Sequence, residues 1–475
     1  MKSFLFKCRK SIVLVLELLM YLALAAVLFA MLSINNPQVL RISRTSAIML
    51  VMFFFSCYML ARVYGKYDID VRKSKPIIIS IVLSVLLADA VTFVMMIIMN
   101  TNVVTNNEVY PYLGEDILWT LAAFLLQIPV TVLFTYGGNA IYFSIVPPEN
   151  CLVITAGGDG LRHLIKGVEK YKKQYRITKI ICSDDPGLYE EIILHDSVFL
   201  DGLPYDLSGK LLEYCYSKRK NVYRTPEVPD LVTQTSELML LGDETIIRSF
   251  VKEKNMHQRI VKRLADIVIS AAGLVITSPL LLICAVLIKA EDGGHVIFSQ
   301  NRVTISGRFF KLYKLRTMRE DSGKAMVTDD DKRITKIGRF IRKFRIDEIP
   351  QFVNVIKGEM SVVGPRAEMA DRVYMNVQEM PEYMYRYRMK AGITGYAQIH
   401  GKYNTSPKDK LLLDLTYIQT FSLWNDFKII LQTLFVLLRP DKSTEAYDDE
   451  ASERQEHIVQ MVDEHLKNGG TDEQR

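Results

Sequence analysis

Asp347 and Glu348 stand side by side in "RIDEIPQFVNVIKGEMSVVGPR", residues 345–366, with Pro350 just beyond them. Seven basic residues precede the pair (Lys332, Arg333, Lys336, Arg339, Arg342, Lys343 and Arg345), and Arg366 follows. Ile349, Phe352, Val353 and Ile356 recur at helical spacing, and Gly358 is a natural stop. Proline is tolerated in a helix's first turn, so the spacing predicts a helix start at 347–349. Two readings of the acids stand at this point. One carboxylate could satisfy the unpaired amides of that helix end, a cap contributing about 0.5–2 kcal/mol. A cap needs only one acid, however. Two adjacent acids among arginines, beside a helix end that can host phosphate, suit a nucleophile and a magnesium ligand. Gly364-Pro365-Arg366 would then present a rigid guanidinium to a pyrophosphate oxygen.

Other segments must hold these residues in place. "RFFKLYKLRTM", 308–318, reads as a β-type run with interleaved basic residues. After it, Ile334, Ile337, Ile341 and Phe344 recur at helical spacing on an otherwise basic surface. Such a helix can lie on an anionic membrane surface, or it can be an ordinary solvated face. Upstream, 262–290 is an apolar run of membrane-spanning length with basic residues on both flanks and Pro279 in its middle. Proline lacks an amide hydrogen and crowds the preceding turn, while Ser278 can offer its hydroxyl to the backbone so freed. We read a helix that enters one leaflet, bends near Ser278–Pro279 and returns; an ordinary kinked span is the alternative. Residues 422–438 form a further amphipathic run.

The chain has 475 residues, a net charge of +6, 49% hydrophobic residues and a mean hydropathy of +0.12. This charge is modest and dispersed, so no nucleic-acid partner is expected. The six cysteines show no short paired spacing, which excludes a zinc site and predicts reduced thiols. Apolar runs near 12–33, 46–63, 76–99 and 117–136 explain the hydropathy and predict a four-helix transmembrane bundle over 1–146. Basic residues concentrate before the first run and between the second and third, which predicts cytoplasmic termini. Glu17 and Asp89 fall inside these runs and could mark an ion path, although anchoring is the plainer role. Residues 147–250 read as a parallel α/β unit. Gly157, Gly158 and Gly160 with Asp184 give a dinucleotide pattern short of the full G-x-G-x-x-G, hence a degenerate Rossmann-like domain.

The motifs of 258–440 resemble the bacterial sugar transferases, the polyprenol-phosphate hexose-1-phosphate transferases that are monotopic phosphoglycosyl transferases. The resemblance rests on the basic-flanked helix with Ser278–Pro279, "FKLYKLRTM", "RITKIGRFIRKFRIDEIPQFVNVIKGEMSVVGPR", "AGITGYAQIHGKYN" and "KLLLDLTYI", roughly 180 of 475 residues. The bundle and middle domain look like the family's long-chain form. The resemblance implies a membrane protein with a helical bundle, an α/β middle domain and a mostly helical catalytic domain with a re-entrant helix at 262–290. It implies that Asp347 is the nucleophile and Glu348 the magnesium-binding partner. It further implies that Arg342 and Arg366 hold substrate phosphates, and it gives Lys314 and Arg316 a basic role in the "FRTM"-type segment. Two departures stand out: Arg345 replaces the family's Ser or Thr, and Ala367 replaces the second proline of Pro-Arg-Pro.

The implied reaction moves sugar-1-phosphate from a UDP-sugar to undecaprenyl phosphate through a phosphoglycosyl-aspartate, with Mg²⁺ as cofactor and UMP released. The implied setting is the cytoplasmic face of a bacterial inner membrane, at the first membrane step of exopolysaccharide, capsule or O-antigen assembly. The expected partners are membrane lipid, downstream glycosyltransferases and a second copy in a homodimer. The acidic segment 441–475 is expected to be a flexible tail. The competing functions are a membrane-anchored, NAD-dependent nucleotide-sugar enzyme and a non-catalytic scaffold of a polysaccharide export system.

Overall fold

A computed structural model describes residues 9–99, 113–157, 159–249, 255–319, 333–401 and 405–437. The 441–475 tail and Lys402–Asn404 of the "HGKYN" motif lie outside the described residues. Contacts divide the chain into two units that meet between Thr225 and Pro226.

The first unit opens with four long apolar helices: α1 (Arg9–Asn35), α2 (Arg44–Tyr64), α3 (Ser74–Met99) and α4 (Leu113–Ile145). Each is long and apolar enough, by length and composition, to cross a bilayer. Their shared core holds Met20, Leu24, Leu28, Phe53, Ile81 and Val85. Small polar groups on the inner faces satisfy themselves locally: Ser84, Thr92, Thr131 and Thr135 donate to the carbonyl four residues back. Asp89 is buried opposite Gln127, whose Nε2 also donates to Leu24 O at 3.0 Å.

The α/β region follows, in the order β1 (Glu149–Thr155), α5 (Asp159–Glu169), β2 (Tyr175–Cys182), α6 (Leu188–Leu194), β3 (Ser197–Asp201), α7 (Tyr205–Ser217) and β4 (Asn221–Arg224). The strands form a parallel sheet in the order β2-β1-β3-β4. Alternate residues of β1 feed separate cores on the two faces, Cys151 and Val153 on one and Leu152 and Ile154 on the other. The strand order reverses between β1 and β3, where ligands bind in doubly wound sheets. There the Asp201 carboxylate stands 2.9 Å from where a Cβ on Gly160 would be, and Thr155 Oγ1 is 3.4 Å from Asp201 Oδ2. Asp184, the residue expected at a ribose, is exposed at the end of β2.

The second unit begins with α8 (Val228–Thr233) and the hairpin β5 (Glu237–Leu241)–β6 (Glu244–Arg248). Next is α9 (Met256–Asp292), 37 residues that stay helical through Pro279. Proline at 279 leaves the Val275 carbonyl without its helical donor, and Ser278 Oγ–H supplies one at 2.8 Å. The two halves of α9 pack on the same domain. In the first half, Lys262 donates to Asp426 Oδ2 at 2.6 Å, the Asp266 carboxylate accepts from Ser361 and Val362, and Gly273 meets Phe352. In the second, Cys284 and Ile288 join Leu315, Ile341 and Ile346, and Glu291 accepts from Lys336 N at 2.8 Å. Between them Val275, Ile276, Leu282 and Ile283 are exposed apolar side chains, from 57% to 76% accessible.

The remaining elements are the antiparallel pair β7 (Ile297–Val303) and β8 (Phe309–Leu315), then α10 (Lys336–Lys343), α11 (Gln351–Lys357), β9 (Ser361–Val363) and α12 (Ala370–Glu379). The chain continues with a 3-10 helix at Pro381–Arg388, β10 (Gly392–Thr394), α13 (Tyr396–His400), α14 (Pro407–Gln419) and α15 (Leu423–Leu437). The molecule is thus an apolar helical bundle, a central α/β region and a largely helical C-terminal domain.

Candidate active site

The acid pair sits in a chain reversal, not at the start of an α-helix. After α10, Arg345 takes a left-handed conformation (φ 53°, ψ 25°), a 3-10 turn covers Ile346–Glu348, and α11 begins only at Gln351. Pro350 occupies the cap position and no side chain caps it, so neither acid performs the capping role that the spacing allowed. Gly358 does end α11, with φ 85°. Ile346 anchors the reversal by burying its side chain with Leu315 and Ile341. A non-glycine residue in the left-handed region costs on the order of 1 kcal/mol, and this burial offsets it.

Lys314 reaches the acids from β8. Buried Asn354 locks that strand to α11, donating to Lys311 O at 2.7 Å and accepting from Tyr313 N at 3.1 Å. Lys314 Nζ then lies 2.9 Å from Glu348 Oε1 and 3.7 Å from Asp347 Oδ2, one cation between two carboxylates. Arg366 Nη2 is 3.6 Å from Glu348 Oε1, on a half-exposed side chain. Arg342 donates from Nε to Thr317 Oγ1 at 2.7 Å, and its charge acts on Asp347.

Identical charges in adjacent positions are pushed in opposite directions. Burial raises the Asp347 carboxyl above its ordinary value, helped by the Glu348 charge and opposed by Lys314 and Arg342. Burial also pushes Glu348 up, but Lys314, Arg366 and Arg345 together hold it down to about 2. Glu348 is therefore the fixed anion of the pair and Asp347 the more basic one.

The Gly364–Ala367 segment is held from behind. A Cβ on Gly364 would meet Lys390 O at 2.2 Å, because the backbones of β9 and β10 run close there. Arg386, fully buried, pairs with Glu368 at 2.9 Å and Asp414 at 2.7 Å, and donates to Arg366 O at 3.2 Å. Ala367 is buried in the core of this unit.

The sequence-derived residues thus divide. Asp347, Glu348, Lys314 and Arg366 meet within 4 Å contacts, and Arg342 stands within electrostatic reach. Arg316 is buried with its guanidinium against Gly294. Ser278 and Pro279 sit on the exposed stretch of α9. Arg345, Asn354 and Arg386 bear on the site without having been singled out for these roles. The one legible hint was Arg345 standing where the resembling family carries Ser or Thr. Among the described residues no three His, Cys, Asp or Glu side chains converge as a metal cage. Mg²⁺, however, is held by one or two carboxylates together with substrate phosphates and water. A low-pKa Glu348 already facing a cation fits that donor set.

Residues 257–440 match the family model for bacterial sugar transferases. The UDP-N-acetylgalactosamine-undecaprenyl-phosphate N-acetylgalactosaminephosphotransferase of Aeromonas hydrophila is 37% identical over 255 residues, covering 52% of this chain and 60% of that protein. The galactosyl transferase CpsE of Streptococcus agalactiae is 43% identical over 211 residues, 41% of this chain and 46% of that protein. The UDP-glucose:undecaprenyl-phosphate glucose-1-phosphate transferase of Caulobacter vibrioides is 40% identical over 190 residues, 38% of this chain and 71% of that protein. The chain belongs to the bacterial sugar transferase family, as a membrane protein with several N-terminal apolar helices. Its match spans about half of the length of the first two relatives.

Proposed function

We propose that this protein transfers a sugar-1-phosphate from a UDP-sugar to undecaprenyl phosphate and releases UMP. The observation that carries the reading is the split acid pair around Lys314: one carboxylate desolvated and more basic, the other held ionised by cations. In the first half-reaction an Asp347 oxygen bonds to the β-phosphorus as the bond from that phosphorus to the UMP oxygen breaks, giving a phosphoglycosyl-aspartate. In the second, an oxygen of the lipid phosphate attacks the same phosphorus, the aspartyl bond breaks and the Asp347 carboxylate is restored. Lys314, Arg342 and Arg366 hold the phosphate oxygens in line. Glu348 would hold Mg²⁺, which when bound neutralises charge on the departing nucleoside monophosphate.

A lipid acceptor requires the acids to lie near a bilayer. The exposed apolar middle of α9, with both its halves docked on one domain, supports a re-entrant helix that dips into one leaflet. With the positive loops, this supports a long-chain monotopic transferase of a bacterial inner membrane whose catalytic domain faces the cytoplasm. Downstream glycosyltransferases would consume the product in exopolysaccharide, capsule or O-antigen assembly, and a homodimer is the proposed assembly. The named relatives act on different sugars, so a panel of UDP-sugars assayed for UMP release would define the donor.

The deciding experiment supplies UDP-sugar without lipid acceptor and maps the adduct by mass spectrometry. A sugar-phosphate on the peptide containing Asp347 supports the reading. UMP release with that peptide unmodified would remove the covalent step. Outside labelling of a cysteine introduced at Thr405 in sealed cells would remove the re-entrant topology.

A further inference from the structure

Among the described residues, one arginine of the same pocket has no carboxylate within ion-pair distance. Arg302, on β7, lines the pocket with Lys314, Glu348 and Arg366. Its Nη2 donates to Gln300 Oε1 at 2.9 Å and its Nη1 weakly to Ala367 O at 3.3 Å, while its buried Nε has no partner. Lys314 is different, because it already faces two carboxylates. Burial lowers the Arg302 guanidinium to about 10, with Arg366 and Arg372 adding repulsion and Glu368 and Glu348 opposing it. A guanidinium kept in such a place without a contacting carboxylate is a cost to the empty protein, and a bound phosphate oxygen would offset it.

The same pocket also holds an unmatched acceptor. Gln398 donates from Nε2 to Ile393 O at 2.8 Å, which fixes the amide orientation, and its buried Oε1 receives nothing. An unmatched donor on Arg302 and an unmatched acceptor on Gln398, two residues that line the pocket, suit a ligand that is anionic and also carries hydroxyl groups. A nucleotide sugar has both.

Resting on the function proposed above, we infer that Arg302 is a substrate-binding residue that takes a phosphate oxygen of the nucleoside diphosphate, while Gln398 Oε1 accepts from a hydroxyl of the same ligand. The assignment adds a fourth cation, from β7, to Lys314, Arg342 and Arg366.

The test uses the full-length protein in nanodiscs, with equilibrium binding of UDP, of UDP-glucose and of uridine. Arg302→Gln should weaken UDP about 10- to 100-fold, as for loss of a charged hydrogen bond, and leave uridine unchanged. It should also flatten the salt dependence of UDP binding, which a general distortion of the pocket would not do. Arg302→Lys, keeping the charge but losing the fork, should fall between the two. Gln398→Met should weaken UDP or UDP-glucose about 2- to 10-fold according to whether ribose or hexose supplies the hydroxyl. Wild-type affinity for UDP in Arg302→Gln, or equal losses for UDP and uridine, overturns the role of Arg302. Unchanged binding of both nucleotides in Gln398→Met overturns that of Gln398. A wild-type protein that binds no UDP instead counts against the function on which the assignment rests.

Discussion

The acid pair and the crevice of the α/β region handle carboxylates in opposite ways. Asp347 and Glu348 are outnumbered by Lys314, Arg342, Arg345 and Arg366. Asp201, at the switch point of the parallel sheet, has Thr155 beside it and, among the described residues, no cation that shifts it. Both places could have looked like phosphate sites, one for its arginines and the other for its glycines. A polyanion entering the first meets surplus positive charge. Entering the second, it meets a carboxylate already standing over Gly160, where a pyrophosphate would approach. Sign and surplus of charge, more than the presence of glycine turns, distinguish the two places.

That contrast can be broken experimentally. Asp347→Asn keeps the shape of the turn and should lower UMP release by about 10³-fold or more, since an amide cannot form the acyl phosphate. A folded Asp347→Asn protein turning over normally would return the acid pair to a structural role. Glu348→Gln should cost about 10²-fold, with part of the activity recovered as Mg²⁺ is raised; indifference to both Mg²⁺ and chelator would remove the metal. Asp414→Ala leaves buried Arg386 with half of its counter-charge. It should destabilise the catalytic unit by about 3 kcal/mol in thermal melts and, through the Arg366 carbonyl, raise the KM for UDP-sugar more than it lowers kcat.

The smallest effect belongs to the crevice. Asp201→Asn should leave UMP release within about twofold of wild type. Burial raises the Asp201 carboxyl in the folded protein. Its contribution to stability is therefore fully present at acid pH, below the unfolded value, and is lost as pH rises through the folded value. The asparagine variant should protect the amides of β1 and β3 from hydrogen exchange more than wild type at pH 7, and not at pH 4.

Much of this was readable before any coordinates, for local reasons. Apolar runs of fixed length declare α1 to α4, and alternating short strands and helices declare the middle sheet. Pro279 with a preceding serine announces a backbone repair, since both the lost donor and its replacement are neighbours in sequence. Asp347 and Glu348 were legible because two adjacent acids exceed what a cap needs. The turn that carries them was not, because a hydrophobic period continuing through Ile349 mimics an unbroken helix, while the reversal depends on Ile346 reaching a distant cluster. Arg302 and Arg386 were hidden for the same reason. The carboxylates that pair with Arg386, on Glu368 and Asp414, are remote in sequence, and the unmatched Nε of Arg302 is a property that only three-dimensional packing defines. Arg316 shows the converse, a motif residue whose neighbour, Gly294, no periodicity links to it.

The double docking of α9 has one further consequence. The turn with Asp347 lies between α10, which meets the second half of that helix, and α11, which meets the first. In the proposed membrane setting, with its middle sunk in lipid, α9 would work as a draught mark: how deep it floats would set how high the proposed nucleophile rides above the acyl chains. Each helical turn is about 5.4 Å, longer than the approach distance of an attacking oxygen. Removing one turn from each half of α9 would therefore shift the waterline of the reaction, so that a lipid phosphate anchored at headgroup depth could no longer reach an otherwise intact acid pair.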